Sequence, residues 1–109
     1  VPAVAGFNRL EVKDGSREIL KVRRLKISYR SGRFSFDLLD EHPFLVLGEH
    51  GEGRTAALAG DVAPHWIGGM VDWGDERVSA QAPGGAPVEV GNWYARFLRQ
   101  LVGWCAGKI

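Results

Sequence analysis

The 109-residue sequence has a single cysteine, Cys105, so it cannot form an internal disulfide, and the bridged scaffolds of small secreted proteins are excluded. No apolar run approaches the roughly 18–20 residues that a membrane-crossing helix needs. Glycine and proline contribute 15 and 5 residues, short of the share of about 25–30% that marks low-complexity chains. Close-spaced metal ligands are also lacking: His42, His50 and His65 form no His-x-His pair, and no Cys-x-x-Cys exists. No metal or other cofactor is therefore expected. What remains is ordinary globular composition, 45% apolar and 25% charged, in a chain long enough for one domain. The sequence opens on Val1-Pro2-Ala3 with neither an initiator Met nor a charged-then-apolar leader, as expected of a piece of something larger.

The formal net charge of +1 is unevenly spread. Residues 1–40 carry nine Lys/Arg against five Asp/Glu, a surplus of four, and residues 41–109 carry five against eight, a deficit of three. Lys21, Arg23, Arg24, Lys26, Arg30 and Arg33 could face an anionic partner. The pI of about 8.1 nevertheless falls below the value above about 9 typical of a nucleic-acid domain, and a solvated charged face is the simpler expectation.

Period-2 alternation is clearest around Ser31-Gly32. Leu25, Ile27 and Tyr29 precede this pair and Phe34, Phe36 and Leu38 follow it, all on one face if the two residues form a tight turn. Tyr29 then opposes Phe34, Ile27 opposes Phe36 and Leu25 opposes Leu38, while Lys26 meets Asp37 on the other face. The run Phe44-Leu45-Val46-Leu47 predicts a strand covered on both faces, returning through a glycine turn to a partner over residues 55–59. Hairpins are thus expected over about 25–39 and 44–59, the second in a central position, with a further strand over 7–12. Residues 74–91 read as loop, and 81–87 as a mobile stretch. Asn92 is the expected N-cap of a helix over about 92–106, whose stripe of Tyr94, Phe97, Leu98, Leu101, Val102 and Cys105 is wider than one sheet face needs.

Candidate chemistry concentrates after the second hairpin. Asp61, His65 and Asp72 lie between or beside Trp66 and Trp73, and a histidine beyond a strand end with carboxylates nearby suits general acid–base work. On spacing alone the plainer reading is better supported: Asp61 caps a turn and His65 packs in a loop. Residues 48–53 lack the Lys-Ser/Thr ending of a phosphate-binding loop. Cys105 falls on the apolar side of the helix, where burial favours an inert thiol, and Ser16, Ser31 and Ser79 lack a nucleophile-elbow context.

Residues 44–54 (FLVLGEHGEGR), 59–66 (AGDVAPHW) and 93–104 (WYARFLRQLVGW), with Phe7-Asn8-Arg9, resemble the C-terminal part of the glutamine-amidotransferase-like family of bacterial cytoplasmic proteins. The resemblance implies the C-terminal portion of a flavodoxin-like three-layer α/β sandwich, here rich in antiparallel hairpins. It also implies a cytoplasmic location. Related class I amidotransferases release ammonia from glutamine with a cysteine nucleophile, a histidine and an acid. His65 matches the family's Pro-His-Trp block and Asp61 the acid before it, a match of position and not of triad role, and Trp66, Trp73 and Asp72 would line one wall of a pocket for an undetermined small molecule. The nucleophile would lie before Val1, so this chain alone is expected to be inactive. The 25–38 hairpin and the 74–91 segment depart from the family pattern and could serve assembly or gate a pocket. A second expectation is therefore a non-catalytic binding or homo-oligomer assembly module with no membrane partner.

Overall fold

The computed structural model describes residues 2–62 and 66–109. Three strands, β1 (Arg17–Arg30), β2 (Arg33–His50) and β3 (Gly53–Leu58), form an antiparallel sheet in the order β1-β2-β3. A 3-10 turn (Gly68–Asp72) leads to a two-stranded antiparallel sheet of β4 (Arg77–Ala80) and β5 (Val88–Gly91), and then to helix α1 (Asn92–Cys105). This is not the expected three-layer flavodoxin-like sandwich. The connections explain the difference. Parallel strands need crossovers of a dozen or more residues. Here β1–β2 and β2–β3 are joined by residues 31–32 and 51–52, which leave room only for antiparallel return.

The β1–β2 hairpin has the register that the alternation predicts: Tyr29↔Phe34, Ile27↔Phe36 and Leu25↔Leu38, with Lys26↔Asp37 and Ser28↔Ser35 between them. Ser31 and Gly32 both have positive φ, at 52° and 77°. Positive φ at both central residues is the turn geometry whose twist suits a two-residue hairpin. The ribbon does not stop at Leu38. β2 continues through Pro43 into the Phe44–Leu47 run, so the two expected hairpins share one 18-residue strand. Pro43 pairs with Lys21 beside an irregularity in the ladder, on a stretch that β3 has not yet joined; a strand tolerates proline in such places. Phe44, Leu45 and Val46 are buried, as expected of a doubly covered run. β2 is central, whereas its partner β3 is an edge strand.

The core is small. Phe44, Ala59, Ile67, Met70 and Tyr94 form its buried centre, with Phe7, Leu10, Trp73, Phe97 and Leu98 among the half-buried residues packed around it. Residues 7–12 form no strand; they lie against the sheet, with Asn8 N–H donating to Ala59 O at 2.6 Å and the Phe7 ring 5.2 Å from that of His42. The expected 74–91 loop instead contains the β4–β5 hairpin, registered Val78↔Val90 and Ser79↔Glu89.

Helix α1 begins where expected, but Gly91 is its N-cap and Asn92 its first helical residue. The Asn92 amide reaches back to the preceding hairpin, with Oδ1 accepting from Asp75 N and Glu76 N at 3.1 and 3.2 Å and Nδ2 donating to Asp75 Oδ1. At the other end Gly107 (φ 75°) permits a left-handed turn in which Gly107 N donates to Trp104 O and Lys108 N to Gly103 O. From β3, the Arg54 guanidinium donates to Trp104 O and Ile109 O and lies 5.0 Å above the Trp104 ring, placing a cation at the helix C-terminus.

Where the ribbon meets the body, its charges are paired across strands. Glu41 bonds Arg23 and lies 3.7 Å from Lys21, and Asp40 contacts Arg24 and His42. The hydrogen bond from Arg23, then its charge, holds the Glu41 carboxyl below its ordinary range, and the His42 hydrogen bond does the same for Asp40. A carboxylate with a depressed folded-state pKa contributes fully above its unfolded pKa and loses that contribution as pH falls through the folded value. Stability should therefore decline as pH drops below about 4.5. Urea titrations at pH 6 and pH 3 should show a smaller decline for Glu41→Gln than for the native chain. Equal declines would show that the pair is without net effect.

Candidate functional site

β3 ends at Leu58, and after Gly60 the chain turns on the side chain of Asp61. The Asp61 carboxylate accepts two backbone amides from further along the chain, Ile67 N to Oδ1 at 2.7 Å and Trp66 N to Oδ2 at 3.1 Å. Hydrogen bonds to an ionised acceptor are the stronger kind, and these two close residues 61–67 into a loop. The Trp66 carbonyl is engaged as well, accepting Ala5 N at 2.8 Å and Gly6 N at 3.1 Å. The Trp66 ring lies over Gly6, where an added methyl would stand 3.1 Å from Cγ; its outer part is exposed. Ile67, the next residue, is completely buried. One end of this loop is thus a core residue and the other a carboxylate.

Helix α1 closes the loop from the opposite side. The Tyr94 hydroxyl donates to Val62 O at 2.5 Å, and the residue is almost wholly buried. Burial pushes the phenol pKa up, and the nearby Asp61 charge adds to the rise. Periodicity places Tyr94 on the apolar stripe and does not reveal its hydrogen bond to this loop. A tyrosine among Phe, Leu and Val on a buried stripe is the available signal, because its hydroxyl must find a partner.

The five expected site residues fall in two places. Asp61 and Trp66 belong to the loop just described. His65 lies outside the described residues. Trp73 and Asp72 sit at the end of the 3-10 turn, where the Trp73 carbonyl accepts Trp93 N and Tyr94 N at 3.1 Å each, satisfying amides at the helix start. The Trp73 ring meets Trp93 edge to face, with centroids 6.0 Å apart. Asp72 forms an ion pair with Arg77 on β4. A shallow hollow of about 280 Å³ is lined by Trp73, Trp93, Arg96, Phe97 and Gln100, and neither Asp61 nor Trp66 borders it. Trp73 is therefore a helix-capping residue that also borders a hollow of its own.

Among the described residues no group of three or more His, Cys, Asp or Glu is arranged to hold a metal ion, and no helix is long and apolar enough to cross a membrane. Cys105 is a half-buried free thiol eleven residues beyond Tyr94 on the same helix, about 16 Å along its axis from the Val62 contact.

Together these features define a small, mostly antiparallel β unit with one packed helix and a loop closed by a carboxylate. The chain belongs to the glutamine-amidotransferase-like family: a family model described as "Putative glutamine amidotransferase" matches residues 1–79. The matched segment holds the whole β1–β3 sheet and Asp61, Trp66, Asp72 and Trp73, whereas β5 and α1 lie beyond it. A comparison with curated proteins finds no match.

Proposed function

We propose that the 61–67 loop is one wall of a ligand site in a glutamine-amidotransferase-like protein, and that this chain does not supply the nucleophile. His65 serves as general base, taking a proton from an attacking nucleophile and returning it to the leaving amine. Asp61 orients that base. A carboxylate has room for about four hydrogen bonds, so holding two backbone amides is compatible with orienting an imidazole. Trp66 supplies an exposed aromatic surface beside the loop. The observation that carries this reading is the pair of hydrogen bonds that the Asp61 carboxylate accepts from Trp66 N and Ile67 N, inside the family-matched segment. These two bonds hold Trp66 and Ile67, directly after position 65, against the Asp61 side chain. The position of Cys105, about three turns of helix away from Tyr94, supports a separate source for the nucleophile.

Ammonia release from L-glutamine should be absent with this chain, and Cys105→Ser should change nothing. L-Glutamine should perturb the Trp66 and Ile67 amide resonances, and His65→Ala should abolish that response while far-UV circular dichroism stays unchanged. Ammonia turnover that depends on Cys105, or a glutamine response that survives His65→Ala, would overturn the assignment.

A further inference from the structure

Among the described residues, nothing packs on the apolar face of the outer half of the β1–β2 ribbon. Leu25, Ile27, Tyr29, Phe34, Phe36 and Leu38 are 47–67% exposed, although their registered alternation places them together on one side. β3 pairs with β2 only from Leu45 to His50, so this part is a bare two-stranded hairpin. The chain's radius of gyration is 16.4 Å, against about 13 Å for a compact domain of this length, which reflects how far the ribbon projects.

A lone two-stranded hairpin is at best marginal in water, and contiguous apolar patches beyond a few hundred Å² mark interaction surfaces. Given the roughly 150–250 Å² that each aromatic side chain can bury, these six residues present on the order of 700 Å². Two such faces in contact would bury on the order of 1,400 Å² in total, within the range of about 1,200–2,000 Å² for stable specific interfaces.

We infer that this face is a homodimer interface, covered by the same face of a second copy of the chain. Its gradation of side-chain size suits a two-fold axis through the Ile27–Phe36 pair. The bulky Tyr29–Phe34 pair at the tip, whose rings lie 4.8 Å apart, would then pack on the slimmer Leu25–Leu38 pair of the partner. Large against small keeps an even spacing between the two ribbons, and the two-fold makes the contact isologous and closed. Charge is consistent with it. On the opposite face Lys26 pairs with Asp37 in register, which leaves the apolar face free of Asp, Glu, Lys, Arg and His from Leu25 to Leu38.

Sedimentation velocity at about 10 μM, a concentration that populates a sub-micromolar dimer, should give twice the 12.0 kDa chain mass. Phe36→Asp and Phe36→Lys should each halve that mass with the far-UV spectrum retained. Mixing the two variants should restore the dimer, because position 36 meets its own copy across the axis. If the charged variants do not fold, Phe36→Cys in a Cys105→Ser background should form an intermolecular disulfide under mild oxidation. A native chain that is monomeric, with the ribbon face open or covered by another part of the same chain, overturns the inference. So does a dimer that survives both charge variants, and so does a failure of position 36 to cross-link.

Discussion

Gly91→Ala should lower stability by about 3 kcal/mol and the thermal midpoint by roughly 10–20 °C. Gly91 has φ −65° and ψ 144°, an extended conformation open to any residue, so the demand here is for space. A methyl group at this position would overlap the Trp73 carbonyl and stand 2.6 Å from the Asp72 carbonyl carbon. Both obstacles are backbone, which cannot swing aside as a side chain could. The Trp73 carbonyl is also the acceptor for Trp93 N and Tyr94 N, so displacing it breaks the bonds that satisfy the start of α1. Gly84 supplies the contrast. Its φ is 77°, which disfavours an alanine, but nothing lies within 4 Å of an added methyl. Gly84→Ala should cost only about 1 kcal/mol. Thermal unfolding of the two variants side by side checks the ranking, and equal losses would mean that the close approach of β5 to the 3-10 turn carries no stability.

The contrast also explains which parts of the structure are legible in the residues. The ribbon is legible because alternation repeats over two strands: a one-residue slip would turn every large apolar residue of one strand to the other face. Burial of Phe44–Val46 is legible for the same reason, as a run without alternation. The β4–β5 hairpin is not, because each strand has four residues and only Val78 and Val90 among their apolar side chains are half-buried. Two points do not make a period. Asn92 shows a subtler limit. It is the right residue type for a cap, but its amide does better by holding the Asp75–Glu76 turn, and Gly91 takes the N-cap because only glycine fits against Trp73.

The fold class is hidden in the sequence for a different reason. Membership of the family carries the expectation of a layered, parallel sheet. The local turns point elsewhere, since two-residue connections at 31–32 and 51–52 cannot join parallel strands. Local geometry and family membership are separate kinds of information, and a family assignment does not fix the architecture of the segment in hand. At the site, the residues show Asp61 as a turn-capping carboxylate and leave Tyr94 hidden in a helical stripe. The link between them, a tyrosine hydroxyl on the carbonyl of Val62, joins groups 32 residues apart that no local pattern connects.

Asp61→Ala should cost about 3 kcal/mol, and most of that should appear as opening of one loop. Two amides lose an ionised acceptor, and Ile67, one of the two donors, is completely buried. An unmet buried donor costs about 1–3 kcal/mol, and hydrogen bonds to charged groups are worth about 1.5–3. Amide hydrogen exchange is the direct measurement. Protection at Ile67 should fall about 100-fold, since 1.4 kcal/mol corresponds to a factor of ten. The ribbon amides near Phe36 should be unaffected. Asp61→Asn should fall between, because its one carbonyl oxygen can accept one amide while its NH₂ turns a donor toward the other. This order also separates the two duties assigned to Asp61. If the carboxylate only closes the loop, glutamine-induced shifts at Trp66 should weaken across native, Asn and Ala in step with Ile67 protection. If it also orients His65, the Asn variant should lose the glutamine response while keeping part of its protection. Unchanged protection at Ile67 in Asp61→Ala would remove the physical basis of both duties.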